Sequence, residues 1–107
     1  MSELNLTDAN FDQEVKNYKD KPVLVDFFAT WCGPCQVMGP IIDELSEELA
    51  GSGIKIAKLN VDESQAKAGE YGVMSIPTII IFKNGEEKER LLGIQDKASL
   101  KQKLEAL

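Results

Sequence analysis

The run VLVDFFA, residues 23–29, is apolar at consecutive positions, with Asp26 as its one polar residue. A strand wetted on one face alternates apolar and polar side chains, whereas a strand apolar on both faces has to be covered on both sides. The rest of the chain must therefore supply a covering layer on each face of the sheet that holds this strand.

The flanking segments can supply those layers. A brief strand is expected around Leu4 to Leu6, then a short amphipathic helix in which Phe11, Val15 and Tyr18 recur at i, i+4 and i+7 behind Thr7 or Asp8 as cap. From Pro34 onward Met38, Ile41, Ile42, Leu45 and Leu49 mark a longer helical stripe, with Pro40 inside it as a kink and AGSG closing it. IKIAKLNVD reads as a second buried strand and ESQAKAGEYG as a weaker helix of small residues. PTIIIF and EEKERLLG flank KNGE, and Asn-Gly between two strand-like runs is a strong hairpin signal. Asp96 or Lys97 opens a last helix with Leu100, Leu104 and Leu107 on one face. The order β-α-β-α-β-α-β-β-α gives an α/β sandwich with a mixed sheet, and 107 residues without a Gly/Ser/Pro-rich linker fit one domain, residues 1–107.

Charge and residue counts narrow the chemistry. A formal net charge of −6 without a basic cluster opposes nucleic acid as a partner. No apolar run approaches the length of a membrane span, and the polar, acidic N-terminus lacks the pattern of a secretory signal, so the expected location is cytoplasmic. Two cysteines and no histidine are too few for a structural zinc site or an iron–sulfur cluster, and a cysteine protease would lack its base. No metal site is expected, and no Gly-rich dinucleotide fingerprint is present, so no cofactor is expected in this chain.

What remains is the thiol pair. Cys32 and Cys35, in WCGPC, fall where the carboxyl end of a central strand meets a helix, the position where open α/β sheets place their sites. The spacing sets the thiols about one helical turn apart, close enough to form a disulfide. As a structural staple such a bridge is weak, because it encloses two residues and removes little entropy from the unfolded chain. Cys32, at the helix start, meets unpaired N–H groups that favour a thiolate, which makes it the expected nucleophile. Cys35, one turn in, is expected to be more buried and to act as the resolving thiol. Pro34 gives up an N–H that has no helical acceptor, Gly33 lets a substrate backbone approach, and Trp31 stands beside them as a wall.

WCGPC after an acid-bearing strand, followed by KLNVD, SIPT and FKNGE in this order, resembles the thioredoxin family over nearly the whole chain. The resemblance implies the thioredoxin fold, a central five-stranded mixed sheet flanked by four helices. It also implies a general protein disulfide reductase, a monomeric electron carrier that acts on disulfide-containing client proteins and is recycled by a thioredoxin reductase.

The supporting residues gain meaning through the same resemblance. Asp26, taken alone, is either a buried acid or a strand residue reaching solvent; the resemblance makes it the proton acceptor for Cys35. Lys58, otherwise a solvated strand lysine, matches a lysine that modulates this acid. Pro77, otherwise an ordinary trans proline opening a strand, matches a proline held cis beside the disulfide. Trp31, Gly33, Pro34, Ile76, Pro77, Gly93 and Ile94 would line a shallow apolar groove around Cys32 that accepts an extended client segment. Phe28, Gln36 and Met74 depart from the family's commonest pattern, where a second tryptophan, a basic residue and another basic residue are usual.

Two other readings remain at this level. An oxidase or isomerase of the secretory pathway would keep the fold, but such relatives usually carry histidine between the cysteines. A binding module would use the groove to grip a partner, with redox turnover incidental.

Overall fold

The computed structural model describes residues 3–107. Five strands, β1 (Leu4–Leu6), β2 (Pro22–Phe28), β3 (Lys55–Asn60), β4 (Thr78–Lys83) and β5 (Glu86–Leu92), form one sheet in the order β1-β3-β2-β4-β5. β1, β3 and β2 run parallel, while β4 is antiparallel to β2 and β5. The helices are a π-helical turn (Asp12–Lys16), α1 (Gly33–Glu48), α2 (Gln65–Glu70) and α3 (Lys97–Glu105). This is the mixed sheet with four helices expected from the sequence.

β2 lies at the centre, and its residues from Pro22 to Phe27 are all buried, because each face meets its own apolar layer. Val23, Val25 and Phe27 pack with Leu6, Phe11, Val15, Leu59 and Phe82. Leu24 packs on the other face with Met38, Ile42 and Leu45 of α1, and with Leu100 and Leu104 of α3. Burial of each such side chain contributes about 1.5–3 kcal/mol. Alternation along the strand puts Asp26 on the same side as Leu24, under α1.

Two local expectations change. The first helix is a single π-helical turn, with the Asn17 N–H donating to Asp12 O at 2.9 Å, although Phe11 and Val15 point into the core as the periodicity requires. Thr7 does serve the segment entering that turn, its hydroxyl accepting from the N–H groups of Ala9 and Asn10. Asp8 does not; its carboxylate accepts from Lys67 N–H at 2.9 Å and Ala66 N–H at 3.4 Å, and so caps α2. At the other end of the chain, Asp96 caps α3 through Ser99 N–H at 3.0 Å, and Leu100 and Leu104 are buried. Leu107 lies beyond the last helical residue and is exposed, so it does not join that apolar face.

The KNGE hairpin is a tight turn with positive φ at both Asn84 (54°) and Gly85 (80°), the type I′ geometry that Asn-Gly favours. Gly85 is constrained twice, because a Cβ there would stand 2.6 Å from the carbonyl oxygen of Lys16. Gly85→Ala is expected to lower the unfolding free energy by about 2–3 kcal/mol, from the strained φ and the backbone clash together. Urea unfolding measures this, and a loss below about 0.5 kcal/mol would mean the turn relaxes freely. β5 is an edge strand whose charges are paired, Arg90 with Glu87 through two 2.9 Å contacts, Lys88 with Glu86 at 2.9 Å, and Glu89 with Lys103 of α3 at 3.1 Å. This charged edge disfavours pairing with another chain.

Candidate active site

The polypeptide leaves the carboxyl end of β2 at Phe28, turns through Ala29 to Trp31, and enters α1 with Cys32 as its N-cap residue. Cys32 is extended (φ −88°, ψ 116°), and its Sγ accepts from the Cys35 N–H at 3.2 Å. A sulfur thus occupies the place that Ser, Thr or Asp takes in an ordinary cap, facing the positive end of a sixteen-residue helix. Gly33 and Pro34 fill the first two helical positions, where a missing N–H leaves no acceptor unsatisfied. Cys32 and Cys35 are joined in a disulfide, with their Cα atoms 5.2 Å apart.

The expected difference in burial between the thiols is not found. Cys32 is 4% and Cys35 6% exposed, because both pack with Ala29 and against Phe28, Val61 and Ile76. What separates them is electrostatic: Cys32 Sγ receives the N–H of Cys35 and stands at the helix end. Phe28 packs against the cysteines from the end of β2. Val61 was not singled out from sequence, although KLNVD contains it and its N–H bonds to Phe28 O at 2.8 Å, which draws it to the end of β2.

Around the disulfide, the Ile76–Pro77 peptide bond is cis, and Ile76 O lies 3.8 Å from Cys32 Sγ. The Gly93 N–H donates to Pro77 O at 2.9 Å, which brings the end of β5 against the loop before β4. Gly93 has φ +81°, a conformation that side chains disfavour. Ile94 and Met74 are exposed, Ile76 is half-buried, and Trp31 is 70% exposed. Trp31 is held by its indole N–H, which donates to Asp62 Oδ2 at 2.8 Å. Asp62 was missed from sequence; its loop is in turn shaped by Asn60 Oδ1, which accepts from Asp62 N–H at 2.9 Å. A cleft of about 400 Å³ between Tyr18, Leu49, Gly53 and Lys55 lies near the far end of α1, away from the thiols.

Asp26 is 4% exposed, and its Oδ1 has no hydrogen-bond partner. Burial raises its carboxyl from the ordinary 3.8 to about 7, against the opposing charge of Lys58. Lys58 stands beside it in the β2–β3 register, yet its ammonium is 3.6 Å from Glu3 Oε1. Among the described residues no group of His, Cys, Asp and Glu is arranged to hold a metal ion, and no helix is long and apolar enough to cross a membrane.

A disulfide spanning the first turn of a helix, at the end of the central strand of a mixed sheet, defines a dithiol/disulfide oxidoreductase. The thioredoxin family model matches residues 2–106. Thioredoxin of Rickettsia felis is 54% identical over 96 residues, covering 90% of each chain. Thioredoxin of Alicyclobacillus acidocaldarius is 48% identical over 101 residues, 94% of this chain and 93% of its own. The chloroplastic M-type thioredoxin of Pisum sativum is 51% identical over 100 residues, 94% of this chain and 57% of its own. The chain belongs to the thioredoxin family, as a protein-disulfide oxidoreductase with Cys32 and Cys35 as its redox-active pair.

Proposed function

We propose that this protein is a general protein disulfide reductase, recycled by a thioredoxin reductase and working as a cytoplasmic monomer. The observation that carries this reading is the Cys32 sulfur at the N-cap of α1, receiving the Cys35 N–H. That N–H and the helix end stabilise a thiolate once the disulfide is reduced.

The exchange then runs in two displacements. The Cys32 thiolate attacks one sulfur of a client disulfide; that S–S bond breaks, a mixed disulfide forms, and the other client sulfur leaves as a thiolate. Cys35 gives its proton to the Asp26 carboxylate, attacks Cys32 Sγ, and expels the second client sulfur. The client gains two electrons and the Cys32–Cys35 disulfide re-forms. Asp26 suits the acceptor role because it lies on the α1 side of β2 with its carboxyl raised to about 7 by burial. Lys58 modulates that acid from the adjacent strand.

Client recognition follows from the groove. Trp31, Gly33, Pro34, Ile76, Pro77, Gly93 and Ile94 are the residues that accept an extended client segment; the exposed Trp31 and Ile94 and the cis Ile76–Pro77 bond beside Cys32 support this, and a mainly apolar surface suits many segments and no single side chain.

The reading is tested by insulin reduction with NADPH and a bacterial thioredoxin reductase, where steady NADPH consumption and insulin precipitation are expected. Cys35→Ser supplies the complementary test. It should leave Cys32 covalently attached to clients as a mixed disulfide that dithiothreitol releases, since the second displacement has lost its nucleophile. No turnover with reductase together with an empty trap would overturn the proposal.

A further inference from the structure

Three acids surround one lysine on the α1 side of the sheet. Asp26 and Lys58 are register partners on β2 and β3, and Asn5 is the partner of Lys58 on β1. Leu4 and Leu6 belong to the opposite face, so Glu3 and Asn5 fall on the side of Lys58 and Asp26. The Glu3 side chain is 2% exposed, and Lys58 Nζ stands 3.6 Å from its Oε1 and 5.9 Å from the centre of the Phe28 ring. Neither Glu3 oxygen has a hydrogen-bond partner of regular geometry, and neither has Asp26 Oδ1. One ammonium therefore lies between two buried carboxyls, and it is paired with Glu3.

Asp43, on α1, reinforces the Glu3 side. The neighbouring Glu3 carboxylate raises the Asp43 carboxyl, with burial adding to the effect. Burial pushes the Glu3 carboxyl up, but the contact with Asp43, a backbone N–H and Lys58 outweigh it and hold Glu3 below the usual range. An ionised Glu3 attracts the lysine more strongly than an Asp26 whose ionisation burial opposes.

We propose that Glu3 and Asp43 are positioning residues that hold the Lys58 ammonium on the outer side of β3, and so keep it from forming an ion pair with Asp26. The consequence for the reaction rests on Asp26 being the proton acceptor for Cys35. A lysine paired directly with Asp26 would keep that acid ionised and make it a poorer proton acceptor near neutral pH. Lys58 from β3 is the charged group that acts on Asp26, with Glu3 beyond β3 and Asp43 of α1 beside Glu3; Cys35 of α1 is held in the disulfide and does not titrate in the oxidised chain. The β4 register partner of Asp26, Ile79, is apolar.

The test is a carboxyl carbon NMR titration of Asp26 in the oxidised full-length chain. Glu3→Gln should lower the Asp26 midpoint by about one pH unit, because Lys58 is freed to approach it. Asp43→Asn should lower it by less and serves as the second variant. In a Lys58→Gln background, adding Glu3→Gln should leave the midpoint in place, since the effect passes through the lysine. An unmoved midpoint in both single variants overturns the proposal, and so does an equal shift with Lys58 absent, which would mean direct repulsion between the acids. The pH profile for release of a client from the mixed disulfide should move with the titration. If the titration shifts and that profile does not, the arrangement stands and the assignment of Asp26 as proton acceptor falls.

Discussion

Asp26→Asn is expected to make the oxidised protein more stable at alkaline pH and slower as a reductase. In the folded chain the carboxyl is raised from 3.8 to about 7 by burial, so the native state binds a proton that the unfolded state releases. Stability from this group is complete below the unfolded value, falls as pH rises between about 4 and 7, and is lowest above it. A shift of about 3 units corresponds to about 4 kcal/mol across that window. The asparagine amide is also buried and costs about 1–3 kcal/mol if unpaired, but that cost does not vary with pH. The difference between wild type and variant should therefore open by about 4 kcal/mol from acid to alkaline pH. Urea unfolding at a series of pH values measures it, and a difference that stays flat would mean the carboxyl titrates normally in the fold. If Asp26 takes the Cys35 proton, release of the mixed disulfide should slow by about 10²-fold in the same variant. Stability and rate then move in opposite directions, as expected where function keeps a poorly solvated group in the core.

Cys32→Ser is expected to abolish turnover, by at least about 10³-fold in the insulin assay, since a hydroxyl is not ionised near neutral pH and cannot displace a disulfide sulfur. The fold should persist. A bridge closing so short a loop contributes about 2 kcal/mol through the unfolded state, so the variant should unfold like the reduced wild type. Native unfolding with no turnover separates chemistry from collapse. Residual turnover above a few per cent would mean that Cys35 can attack clients directly, which the similar exposure of the two sulfurs makes a meaningful control.

Much of the fold was legible because its signals are short-range. The two-sided burial of β2 follows from VLVDFFA, the hairpin from Asn84–Gly85, and the start of α3 from Asp96 bonding three residues along. The thiol pair was legible for the same reason, since helical spacing and an N-terminal position are both written within WCGPC. What was not legible includes side chains whose partners are remote in sequence. Asp8 looks like a cap for the helix that follows it, but its acceptor oxygens meet N–H groups 58 and 59 residues on. Trp31 finds Asp62 across 31 residues, and the near-equal burial of the two cysteines depends on Val61 and Ile76 closing over them.

Local spacing and two-sided hydrophobicity by themselves determined that this chain forms a covered sheet with a dithiol at a helix start. Which carboxyl the lysine joins, how deep each sulfur sits and which proton Asp26 keeps were decided only when β1, β3 and α1 came together. Backbone preference acts between near neighbours in the sequence, whereas desolvation and charge pairing depend on distances that exist only in the packed molecule.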